Sequence, residues 1–339
     1  MEPLDRSDPR RIGAVSIQGR LGSGGMGRVF YGMTDDYEPV AVKVIRDDLA
    51  GRAEVRARFA REMDALRTVQ SPYVAALVDA SGEDEERPWL AVEYVRGLSL
   101  KEFVETRGPL GADNAATLGM LLAGALEDIH EAGLVHRDLK PGNILLSRDG
   151  PKVIDLGLVA FAEGPTDLTR TDSAIGTPAC MSPEQAGRPK EVTAATDVYA
   201  LGATLVFALT RHYPYDAGTV PALFMKIIDA NVAPDLDGVP AAFRPLIADM
   251  LAHEPEARPT VTEAYERLKE LATADGVALS VAVRRLVNAS YVEREDDPQD
   301  PVPMPRPRRR DLSEVVVPGS VVALLADRLR CDYAANARF

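Results

Sequence analysis

The sequence predicts an α+β protein of two unequal lobes, a small β-rich one followed by a larger helical one. Three observations carry this reading. Between Ile12 and Val95 the apolar residues fall in short strand-like runs rich in valine and aromatics. After Gly97 they recur at helical spacing in long stretches. Strands and helices are therefore segregated along the chain, not alternated, which favours separate layers over a parallel α/β sheet. The 339 residues are 46% hydrophobic and 27% charged, a globular balance. At roughly 150 residues per domain the length allows about two domains.

Taken in order, residues 1–11 are polar and contain two prolines, and read as a loose N-terminal arm. Val29-Phe30-Tyr31 and Val40-Ala41-Val42 read as strands on either side of a polar turn. Val55, Phe59, Met63 and Leu66 then recur at helical spacing, and Ser71-Pro72 stops that helix. Val74–Val78 and Trp89–Val95 read as two more strands around an acidic, solvated loop at Glu83–Glu86. In the second lobe, one helix carries Leu118, Leu121, Leu122, Ala125 and Ile129. A second carries Val198, Leu201, Leu205 and Leu209, and a third Val261, Leu268 and Leu271. The domain so drawn spans 12–272, with a small lobe at 12–95 and a large lobe at 96–272. Residues 273–339 form a tail. In it, Leu279, Val283, Leu286 and Val287 suit a short helix, 293–311 a Pro/Arg-rich linker, and Leu312–Arg330 another helix broken at Pro318-Gly319.

Charge and cysteine usage exclude several classes. The formal net charge is −13, which opposes nucleic acid or an anionic membrane as the main ligand. The tail holds ten acids and ten basic residues, so the net charge belongs to 1–272. Two cysteines, Cys180 and Cys331, make neither a disulfide framework nor a zinc-ligand set. The N-terminus has no apolar signal segment, and the late apolar run Val315–Ala326 is too short to span a bilayer. The expectation is a cytoplasmic protein.

Four motifs carry chemistry. Leu21-Gly22-Ser23-Gly24-Gly25-Met26-Gly27-Arg28-Val29 is a glycine-rich turn in which backbone can approach phosphates. A dinucleotide-binding turn has similar glycine spacing but leads into a helix. Here the strand Val29-Phe30-Tyr31 follows. Lys43 sits inside the apolar strand Ala41-Val42-Lys43-Val44, where a charge needs a partner, and Glu62 near the inward stripe of the following helix offers one. His136-Arg137-Asp138-Leu139-Lys140-Pro141-Gly142-Asn143 packs a base, a cation and an amide oxygen into one loop. Twelve residues on, Asp155-Leu156-Gly157 adds a carboxylate. Asn143 and Asp155 facing each other across a gap would suit Mg²⁺.

On these motifs, together with Gly176-Thr177-Pro178-Ala179-Cys180-Met181-Ser182-Pro183-Glu184-Gln185, Asp197-Val198-Tyr199 and Arg258-Pro259, residues 12–272 resemble a known family. They resemble the eukaryotic-like (Hanks-type) serine/threonine protein kinases of bacteria, of the actinomycete kind. The resemblance implies the two-lobed protein kinase fold and transfer of the γ-phosphoryl of ATP to serine or threonine of protein substrates, with Mg²⁺. It implies that Leu21, Gly22, Ser23, Gly24, Gly25, Met26, Gly27 and Val29 cover the phosphates. Lys43 would hold the α- and β-phosphates and pair with Glu62. Glu93 and Val95 would meet the adenine edge through backbone groups, Ala41 and Leu145 would sandwich the ring, and Val92 would back the pocket. Asp138 would take the substrate proton, Lys140 steady the γ-phosphate, and Asn143 and Asp155 bind Mg²⁺. Glu184 and Arg258 would form a buried ion pair, and Asp197 would brace the catalytic loop.

The sequence departs from the family at three places. Leu156 stands where phenylalanine is usual, Ser182 replaces alanine in the Ala-Pro-Glu segment, and Cys180 replaces an aromatic residue. A small buried side chain is the favoured reading of Cys180, with a redox handle the alternative. A pseudokinase scaffold would normally lack Lys43, Asp138 or Asp155, and all are present. A small-molecule kinase would usually lack the 176–185 segment. By resemblance Arg137 accepts a phosphate from the activation loop, where Thr169 and Thr171 match the usual bacterial pair. Self-phosphorylation and a homodimer that phosphorylates in trans are thus expected. The basic knot Arg306, Arg308, Arg309, Arg310 reads as a solvated linker or a contact for an acidic surface.

Overall fold

The computed structural model describes residues 1–24, 27–45, 53–82, 85, 87–155, 178–187, 192–294 and 297. Gly25, Met26, Leu156, Gly157, Thr169, Thr171, the basic knot and the second tail helix lie outside the described residues.

The small lobe is a six-stranded antiparallel sheet in the order β1-β2-β3-β4-β6-β5. Its strands are β1 (Arg11–Ile12), β2 (Val15–Gly24), β3 (Gly27–Met33), β4 (Pro39–Ile45), β5 (Leu77–Ala80) and β6 (Trp89–Glu93). Period-two alternation in β4 buries Val40 and Val42 in a core with Val15, Ile17, Phe30, Trp89 and Ala91. The opposite parity puts Ala41 and Lys43 on the cleft-facing side. Register sets Lys43 opposite Val29 on one neighbour and Leu90 on the other. Helix α1 (Ala53–Leu66) buries Phe59, Met63 and Leu66 against the larger core, the stripe the sequence predicts.

A short three-stranded sheet, β7 (Leu98–Ser99), β8 (Ile144–Ser147) and β9 (Gly150–Val153), opens the large lobe. Helices α2 (Leu100–Arg107) and α3 (Ala112–Glu131) follow β7 in the chain, and after β9 come α4 (Pro183–Gly187), α5 (Ala194–Thr210), α6 (Val220–Ile228), α7 (Arg244–Met250) and α8 (Val261–Ala272). From Thr196 to Leu209, α5 is wholly buried, and α3 packs between it and α8. A helix apolar all round belongs at the centre of a bundle, and that rigidity lets α5 hold other elements in place. Among the described residues no helix is long and apolar enough to cross a membrane.

Several expectations change. The N-terminal arm is docked, not loose: Glu2 bridges Arg20, and the buried Asp8 pairs with Arg20 at 2.7 Å and Arg28 at 3.2 Å. The run at Val74–Val78 begins with an isolated parallel bridge, Val74 to Val153, and becomes a strand only from Leu77. The short helices α2, α6 and α7 have too few turns to declare a period. The tail's first helix is real, α9 (Leu279–Ser290), and its Leu286 joins the large-lobe core against α3. Residues 1–297 form one compact unit.

Candidate active site

A cleft of about 310 Å³ lies between the two sheets. Leu21, Gly22, Val29 and Ala41 roof it, Leu145 floors it, Val92, Glu93 and Val95 form its back and side, and Lys43 and Asp155 close its inner end. A Cβ on Gly22 would meet nothing within 4 Å, so this glycine borders open space. Gly27 is different: at φ +152° a Cβ would fall 2.0 Å from the Val44 carbonyl oxygen of the neighbouring strand β4, so the close approach of β3 to β4 there demands glycine.

Several polar groups in the stretch joining the lobes are committed. The Glu93 N–H donates to the Ala76 carbonyl at 2.9 Å, and the Tyr94 N–H to the Pro39 carbonyl at 3.0 Å. The Glu93 carboxylate accepts the Ala76 N–H at 3.2 Å and pairs with Lys152. Among the described residues the Val95 N–H has no hydrogen-bond partner. A backbone donor at the edge of an apolar slot is what a flat heterocycle with a ring nitrogen acceptor requires.

At the inner end the ion pairs differ from those expected. Where the resemblance pairs Lys43 with Glu62, the structure pairs Lys43 with Asp155 and sets Glu62 Oε1 3.7 Å from Arg137 Nη1. Lys43 is mostly buried and Asp155 about a third exposed, so water screens this pair only in part. Arg137 and Asp155 have φ of +65° and +61°, a conformation costly for residues with a Cβ.

The loop at 136–143 is drawn round one carboxylate. Lys140 Nζ lies 2.8 Å from Asp138 Oδ2 and 3.0 Å from Oδ1. Asn143 Nδ2 donates to that Oδ2 at 3.0 Å and to the Asp138 carbonyl at 2.8 Å. The Asn143 Oδ1 is thereby turned away from Asp138. The Ile154 N–H donates to the Asn143 carbonyl at 2.9 Å, which ties Asp155 beside Asn143. An amide oxygen and a carboxylate brought together are hard oxygen donors of the kind Mg²⁺ takes one or two of, so the donor set fits that ion.

Beneath the loop, the fully buried Asp197 of α5 accepts the N–H groups of His136 and Arg137 and the His130 Nε2, each at 2.8 Å. His136 is also fully buried, and burial pushes its pKa down, so its ring stays neutral. Its Nδ1 accepts the Asp138 N–H at 3.2 Å. The Gln185 side chain donates to the Arg137 carbonyl at 2.7 Å and joins the start of α4 to the loop. Glu184 and Arg258 form the buried bidentate pair that the resemblance implies, at 2.7 and 2.8 Å. Cys180 is buried, and desolvation pushes its thiol up to about 12.

The structure thus brings Leu21, Gly22, Val29, Ala41, Lys43, Val92, Glu93, Val95, Leu145 and Asp155 to one cleft. Asp138, Lys140 and Asn143 form one hydrogen-bonded group in the neighbouring loop. Sequence reasoning missed His130, Gln185, Lys152 and Arg294. Gln185 lies inside a motif already quoted, and His130 six residues before another. Lys152 and Arg294 carry no signal of their own.

The protein kinase domain family matches residues 15–268. The serine/threonine-protein kinase AfsK of Streptomyces coelicolor is 45% identical over 269 residues, 79% of this chain and 33% of that protein. The probable serine/threonine-protein kinase PkwA of Thermomonospora curvata is 41% identical over 81% of this chain and 36% of its own length. This chain therefore spans about a third of those relatives. A crystal structure of the Mycobacterium tuberculosis PknI kinase domain superposes with a TM-score of 0.61 at 22% identity, covering 78% of this chain and 96% of that one, a likeness of fold. Rad53 in complex with AMP-PNP gives 0.61 at 24% identity over 75% of this chain and 64% of the other. Fold, motifs and relatives agree that the chain belongs to the protein kinase family, among its bacterial Hanks-type serine/threonine members.

Proposed function

We propose that this chain transfers the γ-phosphoryl group of ATP to serine or threonine hydroxyls of proteins, itself included, with Asp138 as the residue that takes the substrate proton. The observation that carries the reading is the convergence of Lys140 and Asn143 on the Asp138 carboxylate, beside a cleft closed by Lys43 and Asp155. Adenine enters the apolar slot between Ala41 and Leu145, with the Val95 N–H at its edge. Gly22 borders the place of the phosphates, and Lys43 meets them at the inner end. Asn143 and Asp155 would hold Mg²⁺, which when bound offsets phosphate charge.

Phosphoryl transfer needs positioning and charge stabilisation more than covalent help. The substrate hydroxyl oxygen forms a bond to the γ-phosphorus while the bond to the bridging oxygen breaks, and ADP leaves. Asp138 accepts the hydroxyl proton, and Lys140 beside it spreads the charge on the transferring group. Asp197 holds the loop backbone so that Asp138 need not reorganise. Dimerisation would bring one copy's activation loop to its partner's site.

The test is incubation of the purified chain with labelled ATP, Mg²⁺ and a basic protein acceptor, with phosphoamino acids mapped by mass spectrometry. Label on serine and threonine is expected, reduced about 10²–10⁴-fold in Asp138→Asn. Full activity in that variant sinks the assignment of Asp138, and absence of any transfer by the parent sinks the proposed activity.

A further inference from the structure

Arg294 lies well beyond the matched kinase domain, which ends at residue 268, yet it lines the same cleft as Leu21, Gly22, Tyr94 and Gly97. It is held there by built contacts. Its Nε donates to the Gly97 carbonyl at 3.1 Å, and its Nη2 pairs with Glu102. The Glu102 carboxylate also accepts the Ser99 N–H at 2.8 Å as part of the capping box of α2, so the partner is fixed in turn. The segment is pinned again three residues on. Tyr94 donates its phenol to Asp297 Oδ1 at 2.8 Å, and the Asp297 N–H closes a turn onto the Arg294 carbonyl at 3.1 Å.

A guanidinium has five N–H donors in a rigid plane. Gly97 and Glu102 take two of them, and the others have no partner among the described residues. The position of Arg294 in the cleft selects the ligand group. With adenine at Glu93 and Val95 and phosphates toward Lys43 and Asp155, the part of ATP at the mouth, between Gly22 and Gly97, is the ribose. Its outward edge presents two vicinal hydroxyls, good acceptors for a fixed planar donor.

We propose that Arg294 is a nucleotide-binding residue that donates hydrogen bonds to the ribose hydroxyls of ATP, making the segment after the kinase domain part of the nucleotide site. The inference rests on the placement of ATP in this cleft proposed above. It follows that nucleotide affinity depends on chain outside residues 15–268, and that a fragment cut at Ala272 binds ATP more weakly than the whole chain.

The test is equilibrium binding of AMP-PNP and of its 2′,3′-dideoxy counterpart to the full chain and its variants, with adenosine as competitor. The parent should prefer the ribose form. Arg294→Ala should weaken AMP-PNP binding by about 5–10-fold, the scale of one or two exposed hydrogen bonds, and leave the dideoxy analogue nearly unchanged. Arg294→Lys retains a charge for Glu102 but not the planar donor set, and should lose the same discrimination. That variant keeps the test decisive should Arg294→Ala fold poorly. A parent that does not distinguish the two nucleotides overturns the inference. So does an equal loss for both analogues, or no loss for either. If the parent binds neither nucleotide, or adenosine does not compete, the placement of ATP in this cleft falls instead, a distinguishable result.

Discussion

Arg258 grips Glu184 with two parallel bonds of 2.7 and 2.8 Å, and both side chains are almost fully buried. The rest of the hydrogen-bonding capacity is also used. Thr196 donates to Glu184 at 2.6 Å, and Arg258 reaches the carbonyls of Ala252, Ala195 and His253. The Tyr199 ring lies 5.0 Å below the guanidinium. This satisfaction is what makes a buried ion pair tolerable.

Removing one partner should therefore be severe. Glu184→Ala leaves a guanidinium with only backbone acceptors, and a loss of about 3–5 kcal/mol is expected. Thermal and urea unfolding measure it; a variant as stable as the parent would show that the pair contributes nothing here.

The same pair sets an acid limit. Hydrogen bonds from Arg258 and Thr196 outweigh desolvation and lower the Glu184 pKa from 4.5 to about 2. A depressed folded pKa gives stability that is complete above the unfolded value and lost as pH falls through the folded one. Glu184 should thus contribute about 3 kcal/mol above pH ~4.5, disappearing toward pH ~2. Denaturation curves across that window should be steeper for the parent than for Glu184→Gln, which has no carboxylate to titrate. Equal slopes would remove Glu184 from the account.

Asp197 should act on catalysis through backbone. Asp197→Asn keeps the size but replaces a carboxylate that accepts three hydrogen bonds with an amide that has one acceptor oxygen. The 136–143 loop should lose its fixed geometry, lowering kcat by about 10-fold or more while KM for ATP changes little. A KM effect alone would mean that Asp197 supports the cleft rather than the loop. Lys43→Ala should instead raise KM for ATP, since in the proposed site it removes the cation that meets the phosphates, and it takes from Asp155 the ion pair seen in the structure.

The Cys180 thiol is expected to be inert. With its pKa raised to about 12 by burial, it carries almost no thiolate at pH 8. In a Cys331→Ser background, iodoacetamide should label the folded protein only at the rate of unfolding. Rapid labelling would restore the redox reading.

The motif residues were legible because each sits in a short local pattern: Gly27 in the glycine-rich run that opens β3, Lys43 in the strand that carries it, Asp138 in its loop. What lay beyond reach depends on pairing across the chain. Nothing near Lys43 says that Asp155 rather than Glu62 is its partner in this structure, since that choice is made by the distance between two lobes. The docked arm is similar: Asp8 gains its meaning only when β2 and β3 bring Arg20 and Arg28 together. Arg294 is the extreme case, an arginine in a polar stretch whose only distinction is where the chain carries it. The capping boxes Ser99–Glu102 and Thr260–Glu263 could have been read, because both follow the Ser/Thr-x-x-Glu pattern that opens a helix.

Control should pass through Arg137. Its N–H is fixed on Asp197, its carbonyl accepts from Gln185, and its guanidinium lies 3.7 Å from Glu62. A phosphate on Thr169 or Thr171 would bring about −1.5 to −2 charges and three acceptor oxygens, a strong partner for a guanidinium. Drawing Arg137 toward the phosphate would weaken its contact with Glu62 and favour the Lys43–Glu62 pairing that the resemblance implies. Self-phosphorylation at Thr169, Thr171 or both is therefore expected to raise activity. The Thr169→Ala/Thr171→Ala double variant, and the parent after phosphatase treatment, should both fall to the same low rate. Arg137→Ala should be insensitive to phosphatase, because the group that reads the phosphate is gone. If dephosphorylated parent is as active as phosphorylated parent, this switch does not operate, and the exchange of partners at Glu62 has no bearing on control.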